Sequence, residues 1–308
     1  MPANISSVPL CAVWVVTYNQ KAFIAQTIES IIQQKTDFPF KIYIGDDCST
    51  DGTREICIGY KNKYPELIVL LLNSINYMAQ NSANVFKACV NSGARYVAMC
   101  EGDDYWSDLE KLQRQVDFLE SNPDYSICFH RIYDLLPGKE PYLGNGADIE
   151  KTYTIDDLAL GNIIPTPTVM YRNNLFEFPS WFGESPVGDY VLHMLNAEKG
   201  KIKYFPQPMA VYRRNIGLWS NHSQLIMWEK WLIVLGHLKE HFKDHEVVSV
   251  LKQQESKIIA QLFSTINRLE ATIKSLKEDP TEIAKSVTLK VLLASIKIKF
   301  SKKFNRKA

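Results

Sequence analysis

Residues 98–108 read AMCEGDDYWSD and gather Glu101, Asp103, Asp104 and Asp108 within eight positions, directly after the apolar run 96–100. Glycine and aspartate cluster in solvated turns for local hydrogen-bonding reasons, which is one reading of the stretch. The other is a cation site. Side chains on an extended chain alternate with period two, so Glu101 and Asp103 share one side, and a turn can bring Asp104 round to join them. Left unpaired, such neighbours repel and raise each other's pKa; a divalent cation removes the repulsion. Magnesium is typically held by one or two carboxylates together with substrate phosphates, so the expected occupant is Mg2+ or Mn2+ carrying a diphosphate.

Phosphate charge then needs partners among the side chains, because the glycine-rich phosphate loops are missing. There is no G-x-x-x-x-G-K-S/T, and no G-x-G-x-x-G follows the first apolar run. Arg213 and Arg214, in VYRRNIGLWS, are candidates because guanidinium matches phosphate oxygens bidentately; the plainer reading is two surface arginines at a strand end. Tyr105 and Trp106 could offer aromatic faces to a bound ligand, although a tryptophan beginning a helix also reads as core. Asp189 precedes an apolar helical pattern that includes Leu192 and Leu195, a natural N-cap position. Cys48 reads as a passive neighbour. His130, His193 and His222 lack ligand-like spacing and default to packing or surface roles, with His193 one helical turn beyond Asp189.

Such residues need elements to bring them together. Apolar runs predict strands over 10–16, 41–45, 68–72, 96–100 and 126–133, and helical periodicity falls between them at 23–34, 51–64, 84–92 and 109–121. Phe23, Thr27, Ile28, Ile31 and Ile32 recur at three- and four-residue spacing, and Asn122-Pro123 stops the last helix. This alternation predicts an α/β fold with a mostly parallel sheet flanked by helices. Open parallel sheets bind ligands beyond the carboxyl ends of their strands. Three polar clusters therefore fall on one rim: Thr17-Tyr18-Asn19, Asp46-Asp47-Cys48-Ser49 and Glu101-Gly102-Asp103-Asp104. Residues 134–186 read mainly as loops with a short capped helix at 154–161 and a strand at 166–172. A helix near Asp189 and strands at 202–205 and 210–213 follow, and nearly everything after His222 is helical.

A net charge of +1 over 308 residues gives no general attraction for nucleic acid. Six cysteines without C-x-x-C spacing suit a reduced cytoplasmic protein and argue against zinc. The N-terminus lacks the pattern of a secretory signal, and run 10–16 is far shorter than the ~20 residues of a spanning helix. In residues 281–308, eight lysines and arginines face only Glu282. There Leu289, Leu292, Leu293, Ile296, Phe300 and Phe304 form one stripe, as in a helix lying on anionic lipid at the inner face of the cytoplasmic membrane. The alternative is a helix docked on protein. The expected division is 1–221 for the sheet domain and 222–308 for a helical C-terminal extension, whose long helices could support a homodimer.

Taken together and in order, VVTYNQKAFIAQTIESIIQQ, IYIGDDCSTDGTREI, YVAMCEGDDYWSDLEKLQRQVDFLE and PVGDYVLHM resemble the family 2 glycosyltransferases with the GT-A fold, above all bacterial members that build surface polysaccharides. The resemblance spans roughly residues 8–225. It implies an inverting transferase that moves a sugar from a nucleotide sugar, with uridine the favoured base, to a glycan or lipid-linked acceptor. It places Thr17 and Tyr18, with Asn19 next to them, at the nucleoside, and Asp47, beside Asp46, at the base. Asp103 and Asp104 fall in the metal-and-diphosphate motif, with Asp104 the direct ligand and Glu101 at the ribose or behind the metal. Asp189 matches the catalytic base. Arg213 lies in a Y-R-x-H-x-G-G type segment that reads here Tyr212-Arg213-Arg214-Asn215-Ile216-Gly217-Leu218, with Asn for His and Leu for the second Gly. A sugar-phosphate nucleotidyltransferase would want a glycine-rich basic loop where this chain has TYNQKAF. A non-catalytic carbohydrate- or nucleotide-binding module of the same fold is the third reading.

Overall fold

The computed structural model describes residues 8–216 and 223–277. Strands and helices alternate first as β1 (Cys11–Thr17), α1 (Ile24–Ile32), β2 (Phe40–Asp46), α2 (Thr53–Lys63), β3 (Ile68–Leu72), α3 (Ala79–Asn91) and β4 (Tyr96–Met99). The middle of the chain forms β5 (Tyr105–Trp106), α4 (Lys111–Ser121), β6 (Tyr125–His130), β7 (Tyr133–Leu135), β8 (Tyr142–Leu143), β9 (Lys151–Tyr153) and α5 (Ile155–Ala159). Next come β10 (Met170–Arg172), α6 (Gly188–Ala197), β11 (Lys201–Phe205), β12 (Ala210–Arg213), α7 (Gln224–His241) and α8 (His245–Lys277). One compact unit ends at Lys252 and a second begins at Gln253, so the boundary falls within α8.

The larger sheet runs β3-β2-β1-β4-β10-β6-β11-β9. β1 to β4 are mutually parallel, β6 and β11 are parallel, and β10 is antiparallel to both β4 and β6. β1 reads as an unbroken apolar run because both sheet faces are covered. Cys11, Val13 and Val15 meet Ile24, Ile28 and Ile31 of α1 together with Cys57, Leu112 and Val116 of α2 and α4. On the other face Trp14 donates its indole N–H to the Ser82 carbonyl of α3 at 3.1 Å. Gly45 lets α3 come this close: a Cβ there would stand 2.2 Å from the Val85 side chain.

Several sequence expectations shift. α3 begins five residues earlier than its apolar pattern, because the buried Asn81 takes a hydrogen-bonding role against the Gly45 carbonyl at 3.2 Å. The single strand expected at 126–133 divides into β6 and β7, which belong to different sheets. Tyr105 and Trp106, read as the start of a helix, instead form β5, which pairs with β12 in a small sheet ordered β5-β12-β7-β8. The strand expected at 166–172 is a 3-10 turn followed by β10. The short helix after Thr154 forms as expected, with a capping box between Thr154 and Asp157.

Candidate active site

The rim assembles through backbone pairing. Thr17 stands opposite Asp46 at the ends of β1 and β2, and the Asp47 N–H donates to the Thr17 carbonyl at 3.0 Å. The Gly102 N–H reaches the Val16 carbonyl at 2.9 Å, which sets the acidic loop beside the first cluster. A Cβ at Gly102 would come within 2.5 Å of Gln20 Oε1, so glycine is what permits this approach.

Glu101, Asp103 and Asp104 each offer a carboxylate oxygen within 4.8 Å of the others. Asp104 is 1% exposed. Its Oδ1 accepts the Arg213 backbone N–H at 2.8 Å, while Oδ2 is buried with no hydrogen-bond partner among the described residues. Burial first, then the charges of Asp103 and Glu101, push its carboxyl well above the usual range. Glu101 is pushed up to about 8 by burial and by the charges of Asp103 and Asp189. Burial also raises Asp103, against its own backbone N–H, Arg213 and Gln20. A buried carboxylate oxygen without a partner, among crowded acids, is a costly arrangement. Hard oxygen ligands of this kind fit a divalent cation.

The loop is held from two sides. From α1, the Thr27 hydroxyl shares its one proton between the carbonyls of Asp104 at 2.6 Å and Gly102 at 2.9 Å. Ser30 Oγ accepts the Trp106 N–H at 3.1 Å, and Gln34 bridges the Asp108 carbonyl and the Leu112 N–H. From β12, the Arg213 guanidinium donates to the Asp103 carbonyl and to Gln26 Oε1. It lies 4.8 Å from the ring centroids of both Phe23 and Tyr105. Arg213, expected at the donor phosphates, therefore faces the loop's own backbone and α1. Trp106 is corrected as well: at 4% exposure, with its indole N–H on the Pro167 carbonyl and Lys111 over its ring, it has no face left for a sugar. Tyr105 is half-buried with Arg213 on its ring.

On the first two strand ends, the Thr17 hydroxyl donates to Gln20 Oε1 at 2.8 Å, and Tyr18 is half-buried. Asn19 adopts a left-handed φ of 50° and ties two loops, donating to Ser49 Oγ and accepting from the Thr50 N–H. Asp46 is buried against Arg54 at 2.7 Å. Asp47 accepts the N–H groups of Tyr77 and Met78 and the Asn73 amide at 2.7–2.9 Å. Cys48 donates to the Ser74 carbonyl at 3.3 Å.

Asp189 lies on α6, which packs on β6 in the other half of the sheet, yet its charge is among those that raise Glu101. The N-cap of α6 is Val187, so Asp189 sits in the first turn and not at the cap. Its Oδ1 accepts the Tyr190 N–H at 2.8 Å, and Asn162 and Thr166 approach Oδ2 at 3.3 and 3.4 Å. One turn on, His193 is buried and shares a hydrogen bond with the Tyr171 hydroxyl. Burial pushes its imidazole down to about 4, with Asp189 opposing, so the ring is neutral near pH 7. His130 is likewise buried and uncharged. His222 and the Gly217 and Leu218 end of the loop lie outside the described residues.

Sequence reasoning did not find Gln20, Thr27, Ser30, Gln34, Asn162 or Thr166 as site residues. One signal was available: Thr27 and Ser30 are polar residues on the buried stripe of α1, and Gln34 is a buried polar residue just past its end. Asn162 and Thr166 carry no comparable mark, since long-range folding brings them in.

The family model for glycosyl transferase family 2 matches residues 12–178. An uncharacterized protein of Mycobacterium tuberculosis is 34% identical over 235 residues, which cover 72% of this chain and 63% of the relative's length. TuaG of Bacillus subtilis, named for a glycosyltransferase of teichuronic acid biosynthesis, is 32% identical over 165 residues, covering 53% of this chain and 62% of its own length. The crystal structure of S. aureus TarS 1-349 in complex with UDP superposes with a TM-score of 0.58 at 17% identity, covering 94% of this chain and 87% of that one. At that identity the likeness speaks for the fold alone.

Proposed function

We propose, on the premise that the chain belongs to glycosyl transferase family 2 and has its GT-A fold, that it moves a sugar from a nucleotide sugar to an acceptor hydroxyl with inversion at the anomeric carbon. One observation carries the reading: the buried, unpartnered Oδ2 of Asp104 within a ring of three carboxylates that also feels Asp189. Asp103 and Asp104 would hold Mn2+ or Mg2+, with Glu101 supporting them or meeting the ribose. That ion, when bound, supplies positive charge to a departing diphosphate. Thr17, Tyr18 and Asn19 would flank the nucleoside. Asp47 accepts three hydrogen bonds here, and a carboxylate has about four lone-pair sites, so one is left for a base N–H. TarS was crystallised with UDP, which supports uridine as the base.

Asp189 would take the proton from the acceptor hydroxyl. The freed oxygen attacks the anomeric carbon as the bond to the diphosphate breaks, and the electron pair leaves on the diphosphate oxygen. Asn162 and Thr166 hold the carboxylate in place for this role. The name of TuaG supports an acceptor in surface-polysaccharide synthesis, either a glycan or a lipid-linked glycan. Among the described residues no helix is long and apolar enough to cross a membrane. We place the protein in the cytoplasm, meeting the inner membrane face through the basic stripe at 285–308, which lies outside the described residues. The helices after residue 222 would serve self-association.

Thermal-shift measurements with UDP-, GDP- and dTDP-sugars, with and without Mn2+, test the assignment. One donor should stabilise the wild-type protein only when metal is present, and Asp104→Ala should abolish that gain. Equal stabilisation of Asp104→Ala would remove the acidic ring from donor binding.

A further inference from the structure

Two adjacent arginines leave the end of β12 on opposite sides. Strand side chains alternate, and the ladder continues one residue further, where the Arg214 N–H donates to the Leu135 carbonyl at 2.9 Å. Arg213 is turned to α1 and the acidic loop. Arg214 shares the other side with Tyr212, its guanidinium 4.6 Å from that ring's centroid. Its Nε–H donates to Asp134 Oδ1 at 2.7 Å. Asp134 is buried on β7, directly opposite Tyr212 in the small sheet. Among the described residues this one side-chain bond aims the guanidinium and leaves the outer N–H donors of the fork, on a side chain that is 46% exposed. The end of β12 adjoins the carboxylate cluster directly, since the Arg213 backbone N–H donates to Asp104 Oδ1 at 2.8 Å, and the Tyr212 hydroxyl is pushed up by burial and then by the charges of Glu101 and Asp104.

We propose that Arg214, aimed by Asp134, is the guanidinium that meets the leaving diphosphate, and that Arg213 is a positioning residue for the acidic loop. The inference rests on the glycosyltransferase reading above. As the anomeric carbon–oxygen bond breaks, its electron pair goes to the diphosphate oxygen, and a guanidinium fork satisfies such an anion bidentately. Arg213 is not placed for this, because it is buried, donates to the Asp103 carbonyl and Gln26 Oε1, and has the Phe23 and Tyr105 rings against its guanidinium.

Titration calorimetry of the full chain with inorganic pyrophosphate in the presence of Mn2+ tests the assignment without reference to base or sugar. Arg214→Ala should weaken pyrophosphate about 10- to 100-fold, the weight of one or two charge-assisted hydrogen bonds, with Mn2+ affinity unchanged. Arg214→Lys should recover part of the loss, as charge without a fork. Combining Arg214→Ala with Asp134→Asn, which leaves no buried charge unpartnered, should show the same loss and guards against simple misfolding. Arg213→Lys should instead lower affinity for Mn2+ itself, because the loop loses its brace. If the Arg214 variants bind pyrophosphate as tightly as wild type, the inference is overturned, including the case in which they raise KM for a phosphate-bearing acceptor. Wild-type protein that binds neither pyrophosphate nor any nucleoside diphosphate would overturn the glycosyltransferase reading, and this inference with it.

Discussion

Asp103 and Asp104 stood out as a candidate cation site because acids crowd directly after an apolar run, and Asp189 stood out only through the family resemblance, since alone it reads as an N-cap; the residues that aim them were not legible. Thr27 looks like any threonine in an amphipathic helix until Gly102 and Asp104 are found against its hydroxyl. The two arginines could not be separated in sequence either, since only strand pairing fixes which one faces α1. Crowding of carboxylates has a consequence for stability. Glu101 keeps its proton up to about 8 in the folded chain, whereas an unfolded glutamate releases it near ~4.3. The folded state then binds more protons between these values, so the contribution of Glu101 is present at low pH and is lost as pH rises toward 8. In metal-free protein, the fall in Tm between pH 5 and 8 should be shallower for Glu101→Gln than for wild type, and Mn2+ should reduce the wild-type fall. Parallel wild-type and variant curves without metal would contradict the placement of Glu101 in the cluster.

Among the elements, the parallel strands were readable because burial on both faces leaves unbroken apolar runs, as in CAVWVVT of β1. β5, β7 and β8 were not, for they are two or three residues long and exist through pairing with β12 and with one another. Helix α1 and the residues just past its end serve as the scaffold of the acidic loop, with Thr27, Ser30 and Gln34 reaching successive points along residues 102–112. Thr27→Val keeps the shape but removes the one donor that two buried carbonyls share. Denaturant unfolding should register a loss of about 1–3 kcal/mol. Turnover should fall further than donor binding, because the loop shifts relative to Asp189. A variant with wild-type stability would show that the carbonyls find other partners.

For the molecule as a whole, composition disclosed little beyond a near-neutral balance, and the basic stripe of residues 285–308 was its one marked asymmetry. Removing 285–308 should release the protein from anionic liposomes while leaving metal-dependent donor stabilisation intact; undiminished liposome binding by the truncated chain would place membrane contact elsewhere. The alternation of 10–121 made the first half of the sheet legible, but its join to the second half was hidden, since β10 contributes only three residues and runs against both neighbours. On the proposed function, that narrow antiparallel seam separates most of the donor side from the proposed base. Thr17, Asp47 and the acidic loop precede it in the chain, whereas Asp189 and the arginine pair at the end of β12 follow it. Descendants of such a protein would be free to vary the stretch around Asp189 and serve a new recipient, provided the arginine pair stays in register with the inherited delivery apparatus.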